Sequence, residues 1–225
     1  MASRRRSAVD SSETRARLLD AAERLMRAGG YPAVTTRSLA SEVGVSNQLV
    51  HYYFRTMDDL FLSVMRRNAD LNLRRLLGAL GSDQPLRALW ELNSDPEAAR
   101  LAVEFVALAN HRQVINDEAA RHAEQLRALE TEALARVLSD CGIDQRELPA
   151  VSLALLMASL PRTMVMETAI GMSLGHSETR ALIERYLNSL SSKAGSGGRT
   201  ARKRPPTDSR AARKRARRRR RTIHQ

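Results

Sequence analysis

With a single cysteine, Cys141, the chain has no partner for an internal disulfide, and a reducing, cytoplasmic setting is the simplest reading. Aromatic residues are scarce: three Phe, four Tyr and one Trp, which leaves too few large rings for a sheet-rich core. Long hydrophobic runs are missing as well. The longest nearly apolar stretch, Ala150 to Leu160, stops at Pro161-Arg162, short of the ~20 residues a membrane helix needs, so no membrane partner is expected. No apolar segment follows Arg4, Arg5 and Arg6 that could act as a signal peptide, so secretion is not expected either. Nor is there a Gly-rich phosphate loop, a nucleophile elbow or metal-ligand spacing, which argues against an enzyme, a cofactor or a bound metal.

The apolar residues that are present are mostly Ala, Leu, Val and Met, the residues of helix-packed interiors, and an all-α protein is predicted. The charge is segmented. The formal net charge of +12 hides a tail, residues 193–225, with 14 Lys or Arg against one acidic residue, Asp208. Residues 1–67 hold 11 basic and 7 acidic groups, and residues 68–192 hold 12 and 17. Two basic ends suited to a polyanion therefore flank an acidic middle with another task. The division predicted is a basic N-terminal arm over 1–11, a small domain over 12–67, a larger helical domain over 68–192 and a disordered Arg/Lys-rich tail over 193–225. Such a tail neutralises phosphates without reading sequence.

Helix signals follow one another along the chain. Leu18, Ala22, Leu25 and Met26 recur at helical spacing between Ser12 and Ala28, with Asp10, Ser11 and Ser12 as caps and Gly29-Gly30 as the stop. After a bend at Tyr31-Pro32, Thr35 or Thr36 caps a short helix to Val43, and Gly44 supplies a left-handed turn. Ser46 caps the next helix, with Val45 placed to pack on Val50. Thr56 opens a fourth. Further helices are predicted over 84–93, 96–110, from Asn116-Asp117 to Asp140, from Glu147–Pro149 through a bend at Pro161 to Gly171–Gly175, and over 177–191.

On a wheel at 100° per residue the third helix buries Val50 and Phe54 and turns Gln48 and Tyr52 outward, flanked by Asn47 and His51. Asn and Gln near a helix N-terminus suit bidentate bonds to adenine in a DNA major groove, and His and Tyr can donate to phosphate or stack on a base. Two short helices about a Gly-centred turn make a helix-turn-helix. A plain amphipathic helix with a solvated face is the competing reading.

The stretch "TRARLLDAAERLMRAGGYPAVTTRSLASEVGVSNQLVHYYFRTMDDLFLSV", Thr14 to Val64, resembles the DNA-binding domain of the TetR family of transcriptional regulators. The matching features are Thr14, the Ala-rich first helix, Gly30-Tyr31, Thr35-Thr36, Leu39-Ala40, Gly44-Val45-Ser46, Tyr53-Phe54 and Leu60. His51 stands where the family usually has Tyr, and Met57 where it usually has Lys. The resemblance, with the wheel, implies a DNA-contacting set of Thr35, Thr36, Arg37, Ser46, Asn47, Gln48, His51, Tyr52 and Tyr53.

It further implies a larger domain that binds a small-molecule effector and forms a homodimer through its last two helices. "VSLALLMASL", Val151 to Leu160, is apolar on nearly every side and suits such an interface, with a helix carrying Leu182, Ile183, Tyr186, Leu187 and Leu190; the central helix of a monomer core is the competing reading. Trp90, Phe105, Met157, Met164 and Met166 are candidate ligand-binding residues, against plain core packing for each. A break at Asn116-Asp117 separates His111 from His122, and Cys141 reads as inert. The function expected is a sequence-specific, ligand-responsive repressor that binds double-stranded DNA at a palindromic operator. The alternative is a general nucleic-acid-binding or scaffolding protein acting through its tail.

Overall fold

A computed structural model describes the backbone of residues 2–200 and the side chains of residues 12–190; the basic tail beyond residue 200 and the side chains of the arm, 1–11, lie outside the described residues. The described residues contain no strand, in keeping with the all-α expectation. The helices are α1 (Ala2–Gly29), α2 (Thr36–Val43), α3 (Asn47–Tyr53), α4 (Met57–Leu80), α5 (Pro85–Asn93), α6 (Pro96–Ala109), α7 (Gln113–Asp140), α8 (Ala150–Ala169) and α9 (His176–Thr200). A 3-10 turn, Tyr31–Ala33, takes up the Tyr31-Pro32 bend.

Two apolar clusters organise these helices. The first joins Leu18, Ala22 and Met26 of α1, Leu39 and Val43 of α2, Val50 of α3, and Leu60, Phe61 and Val64 of α4 to Leu101, Phe105 and Leu108 of α6. The second joins Leu76 at the far end of α4 to α5, the C-terminal half of α7, α8 and α9. At 24 residues, α4 is roughly 36 Å long and takes part in both clusters, so the two regions share a rod.

Three boundaries differ from the sequence reading. First, α1 reaches back to Ala2 instead of starting at Ser12, because Ala2 to Asp10 contain no Gly or Pro to stop a helix and the Ser11-Ser12 cap signal is passed over. Second, α7 begins at Gln113, not at Asn116. Gln113 Nε2 donates to Asp117 Oδ1 at 2.7 Å, one turn apart, and the Asp117 carboxylate sits near the positive end of the helix. The break therefore falls over Asn110 to Arg112, which leaves His111 in the turn and His122 on α7. Third, α9 runs on to Thr200, past residue 191, where the last helix was expected to end. As expected, α8 passes through Pro161; it ends at Ala169 and, at 20 residues, is long and apolar enough to cross a membrane by length and composition. One of its faces, with Leu153, Ala154, Met157 and Met164, is packed in the second cluster, as in the core helix of a helical body.

Candidate functional site

The geometry of α2 and α3 is set by their ends. Thr35 Oγ1 accepts from the Ser38 N–H at 3.1 Å, and Ser38 Oγ accepts from the Thr35 N–H at 2.9 Å, a reciprocal capping box. Gly44, at φ 73°, ψ 40°, closes α2 in the left-handed conformation that glycine adopts without Cβ strain. Ser46, in extended backbone, then caps α3 by accepting from the Leu49 N–H at 3.2 Å. From α1, Arg17 Nη2 donates to the Val43 carbonyl at 2.9 Å, and the Arg15 guanidinium lies over the Phe54 ring at 5.2 Å. The first helix thus braces the pair at the turn and at the end of α3.

Val50 and Phe54 are 2% and 3% exposed and hold the inner side of α3, while Asn47, Gln48, His51 and Tyr52 are all exposed on the outer side. Tyr52 is 74% exposed, and its ring stands edge-on to Tyr53 at 5.2 Å between centroids. Tyr53 is half-buried and packs against the first cluster. On α2, Arg37 is exposed, as are the capping residues Thr35 and Ser46. Thr36 is half-buried, with Oγ1 3.8 Å from Met57 Sδ, so Met57 packs the start of α2 against the start of α4.

At the α4 N-terminus Asp59 is locked in a second capping box with Thr56, and Asp58 is drawn into a 2.5 Å ion pair with Arg112. The backbone N–H groups of this first turn favour a negative group, and two carboxylates already stand beside them, that of Asp58 offset by Arg112. Arg55, exposed directly after Phe54, lies between α3 and α4 and adds a cation that the sequence reading passed over. Its only signal was its place at the end of the aromatic run.

Residues 18–64 match the sequence model described as "Bacterial regulatory proteins, tetR family". Over these residues the chain is similar to the N-terminal domain of that family. The family consists of transcriptional regulators, not enzymes. Among curated relatives, the HTH-type transcriptional regulator BetI of Brucella abortus (strain 2308) is 39% identical over 95 residues, which is 41% of this chain and 43% of BetI. The match thus spans less than half the length of that relative. Among solved structures, a Saccharomonospora viridis protein in complex with choline aligns with a TM-score of 0.62 at 23% identity, over 80% of this chain and 95% of that one. A TetR transcription regulator from Haloarcula marismortui ATCC 43049 aligns with a TM-score of 0.60 at 16% identity, over 83% and 96%. At these identities the two structures support the fold alone.

The helix-turn-helix is tied to the rest of the body by charged contacts at its back. Arg66 of α4 donates to Glu118 of α7 from Nε at 2.8 Å and Nη2 at 3.3 Å, and Glu118 also meets Arg121 and His122. The Arg66 hydrogen bond, with help from Arg121 and His122, holds the Glu118 carboxyl down at about 2, although its burial works in the opposite direction. Glu104 of α6 accepts from the Tyr31 N–H at 2.8 Å, next to Gly30, whose φ of 75° and tight approach to Glu104 favour glycine. Arg67 pairs with Asp20 and Glu23 of α1.

Between α4, α5, α6, α7 and α8 lies a cavity of about 250 Å³. Its walls are largely alanine, Ala98, Ala99, Ala102, Ala123 and Ala158, and its polar groups are Asn72, Asn93, Arg127, Glu130 and Arg162. None of the five residues suggested by sequence is among the residues that line it. Trp90, Phe105, Met157 and Met164 are buried, whereas Met166 is 49% exposed. Trp90 and Met157 pack in the second cluster. Phe105 lines an adjoining groove with Asn72 and Ala102, and Met164 lines a cleft with Pro96 and Arg100. The cavity's own residues were hard to pick out in advance, since alanines at helical spacing look like ordinary helix.

Proposed function

We propose that the chain is a sequence-specific DNA-binding transcriptional regulator, a repressor that acts as a homodimer on a palindromic operator and responds to a small-molecule effector. Within it, residues 12–67 form the reading domain, residues 68–192 the effector and dimerisation domain, and the setting is cytoplasmic. The observation that carries this reading is the outward face of α3: Asn47, Gln48, His51 and Tyr52 are exposed together on a helix that is capped, braced and anchored by Val50 and Phe54. A face of this shape fits a major groove, where Gln48 and Asn47 reach base edges. Thr35, Thr36, Arg37, Ser46, Tyr53 and Arg55 surround it and supply positions for the sugar-phosphate ridges.

Dimerisation is supported by the outer side of α8 and α9. Val151, Leu155 and Leu156 on α8 and Leu182 and Tyr186 on α9 are each about half exposed although strongly apolar, and such a patch calls for a partner surface. A two-fold protein in turn suits a two-fold operator. The cavity is the effector site in this reading. Choline, held by the Saccharomonospora viridis protein, is small enough for it, but the cavity's lining residues include no aromatic ring of the kind that favours a quaternary ammonium.

The reading is tested by binding experiments with the chain ending at residue 192. Tight, competitor-resistant retention of one palindromic duplex is the expected result. Complete loss of binding in the truncated chain would instead favour a scaffolding protein acting through its tail.

A further inference from the structure

Resting on the effector reading of the α4–α8 cavity, we propose that its ligand is a small molecule carrying an ammonium group with N–H bonds and, a few ångström away, an oxygen acceptor: an amino alcohol or an amino acid. Glu130, on α7, is only 7% exposed and lines the cavity, and its Oε1 is buried with no hydrogen-bond partner. Arg127, one turn earlier on the same helix, also lines the cavity, and its Nη1 is likewise buried and unpartnered. Acid and base are thus presented side by side, yet neither of these two atoms is satisfied by the other.

Buried polar groups left in this state cost stability, and a protein retains them where something else completes them. Burial pushes the Glu130 carboxyl above its ordinary range, with Arg127 opposing. An N–H-bearing cation satisfies Oε1 and removes that penalty; a quaternary ammonium brings charge but no donor. The Arg127 guanidinium then requires an acceptor on the same ligand, and Arg162 at the α8 rim offers a second donor to it. The alanine walls and Leu126 leave apolar space for the short chain that joins the two ends.

Calorimetric titrations of the full chain with ethanolamine, β-alanine, propionate and tetramethylammonium, into the tens of millimolar, test this. Ethanolamine and β-alanine are expected to bind at least tenfold more tightly than propionate or tetramethylammonium, and whichever of the two binds better separates amino alcohol from amino acid. Glu130→Gln should weaken both amine probes at least tenfold while keeping a cooperative melt, and Arg127→Met should weaken β-alanine more than ethanolamine. Propionate or tetramethylammonium binding as tightly as the amines, no binding of either amine, or amine affinity unchanged in Glu130→Gln would each overturn the proposal. Release of bound duplex is scored separately: Glu130-dependent amine binding without release counts against the effector role and still supports the ligand class.

Discussion

Glu118 of α7 ties α4 to the helical body through Arg66, and replacing it with Gln isolates what that tie contributes. Its side chain is 5% exposed and faces Arg66 (58% exposed), Arg121 (54%) and His122 (24%). A carboxyl held at about 2 instead of its ordinary 4.5 corresponds to at most about 3 kcal/mol of stability at neutral pH. Both arginines are more than half in water, where screening and side-chain freedom dilute ion pairs, so the expected loss for Glu118→Gln is roughly 1 to 3 kcal/mol. The sign follows from the direction of the shift. A folded-state value below the unfolded one stabilises above about pH 4.5, and the contribution drains away as pH falls toward 2. Urea unfolding followed by circular dichroism, at pH 7 and again near pH 3, measures it. The gap between wild type and variant should narrow by about half or more at the lower pH. Equal stability at pH 7, or a gap that persists undiminished in acid, would refute the assignment of Glu118 as an ionised tie between α4 and α7.

Other outcomes follow from the same geometry. Leu155→Glu places a charge in the exposed apolar face of α8, and analytical ultracentrifugation should show monomers whose helical content is unchanged; persistent dimers would place the interface elsewhere. Ser46→Ala removes the α3 cap and should lower stability by about 1 kcal/mol, read from the urea midpoint. Deleting residues 193–225 removes 14 positive groups, and the slope of log affinity against log salt should become shallower by up to about 0.9 for each phosphate that the tail had neutralised. An unchanged slope would show that the tail does not touch DNA.

The helix-turn-helix was legible because its signals are local. Thr35, Gly44, Ser46 and Thr56 are each read within a turn of the residues they cap, and the structure uses all four as N-caps or as the C-cap of α2. The inward placement of Val50 and Phe54 follows from helical periodicity once Ser46 fixes the start. Non-local partners were not legible. Arg66 and Glu118 are 52 residues apart, and nothing in either neighbourhood announces the other. The start of α7 was placed too late because Asn116-Asp117 looks like a cap, whereas Gln113 reaches Asp117 within the helix and keeps it going. The cavity escaped for a related reason: it exists where alanines of α6, α7 and α8 face one another, and each helix alone shows only good helix formers.

Selection from a random duplex library, followed by affinity measurement, shows whether the outward face of α3 reads base edges. Wild-type protein should enrich a two-fold symmetric sequence. Gln48→Ala should weaken binding to that sequence by about 1 to 3 kcal/mol, with affinity for random duplex nearly unchanged. An equal loss on selected and random duplexes, or no enriched sequence at all, would contradict that role for α3.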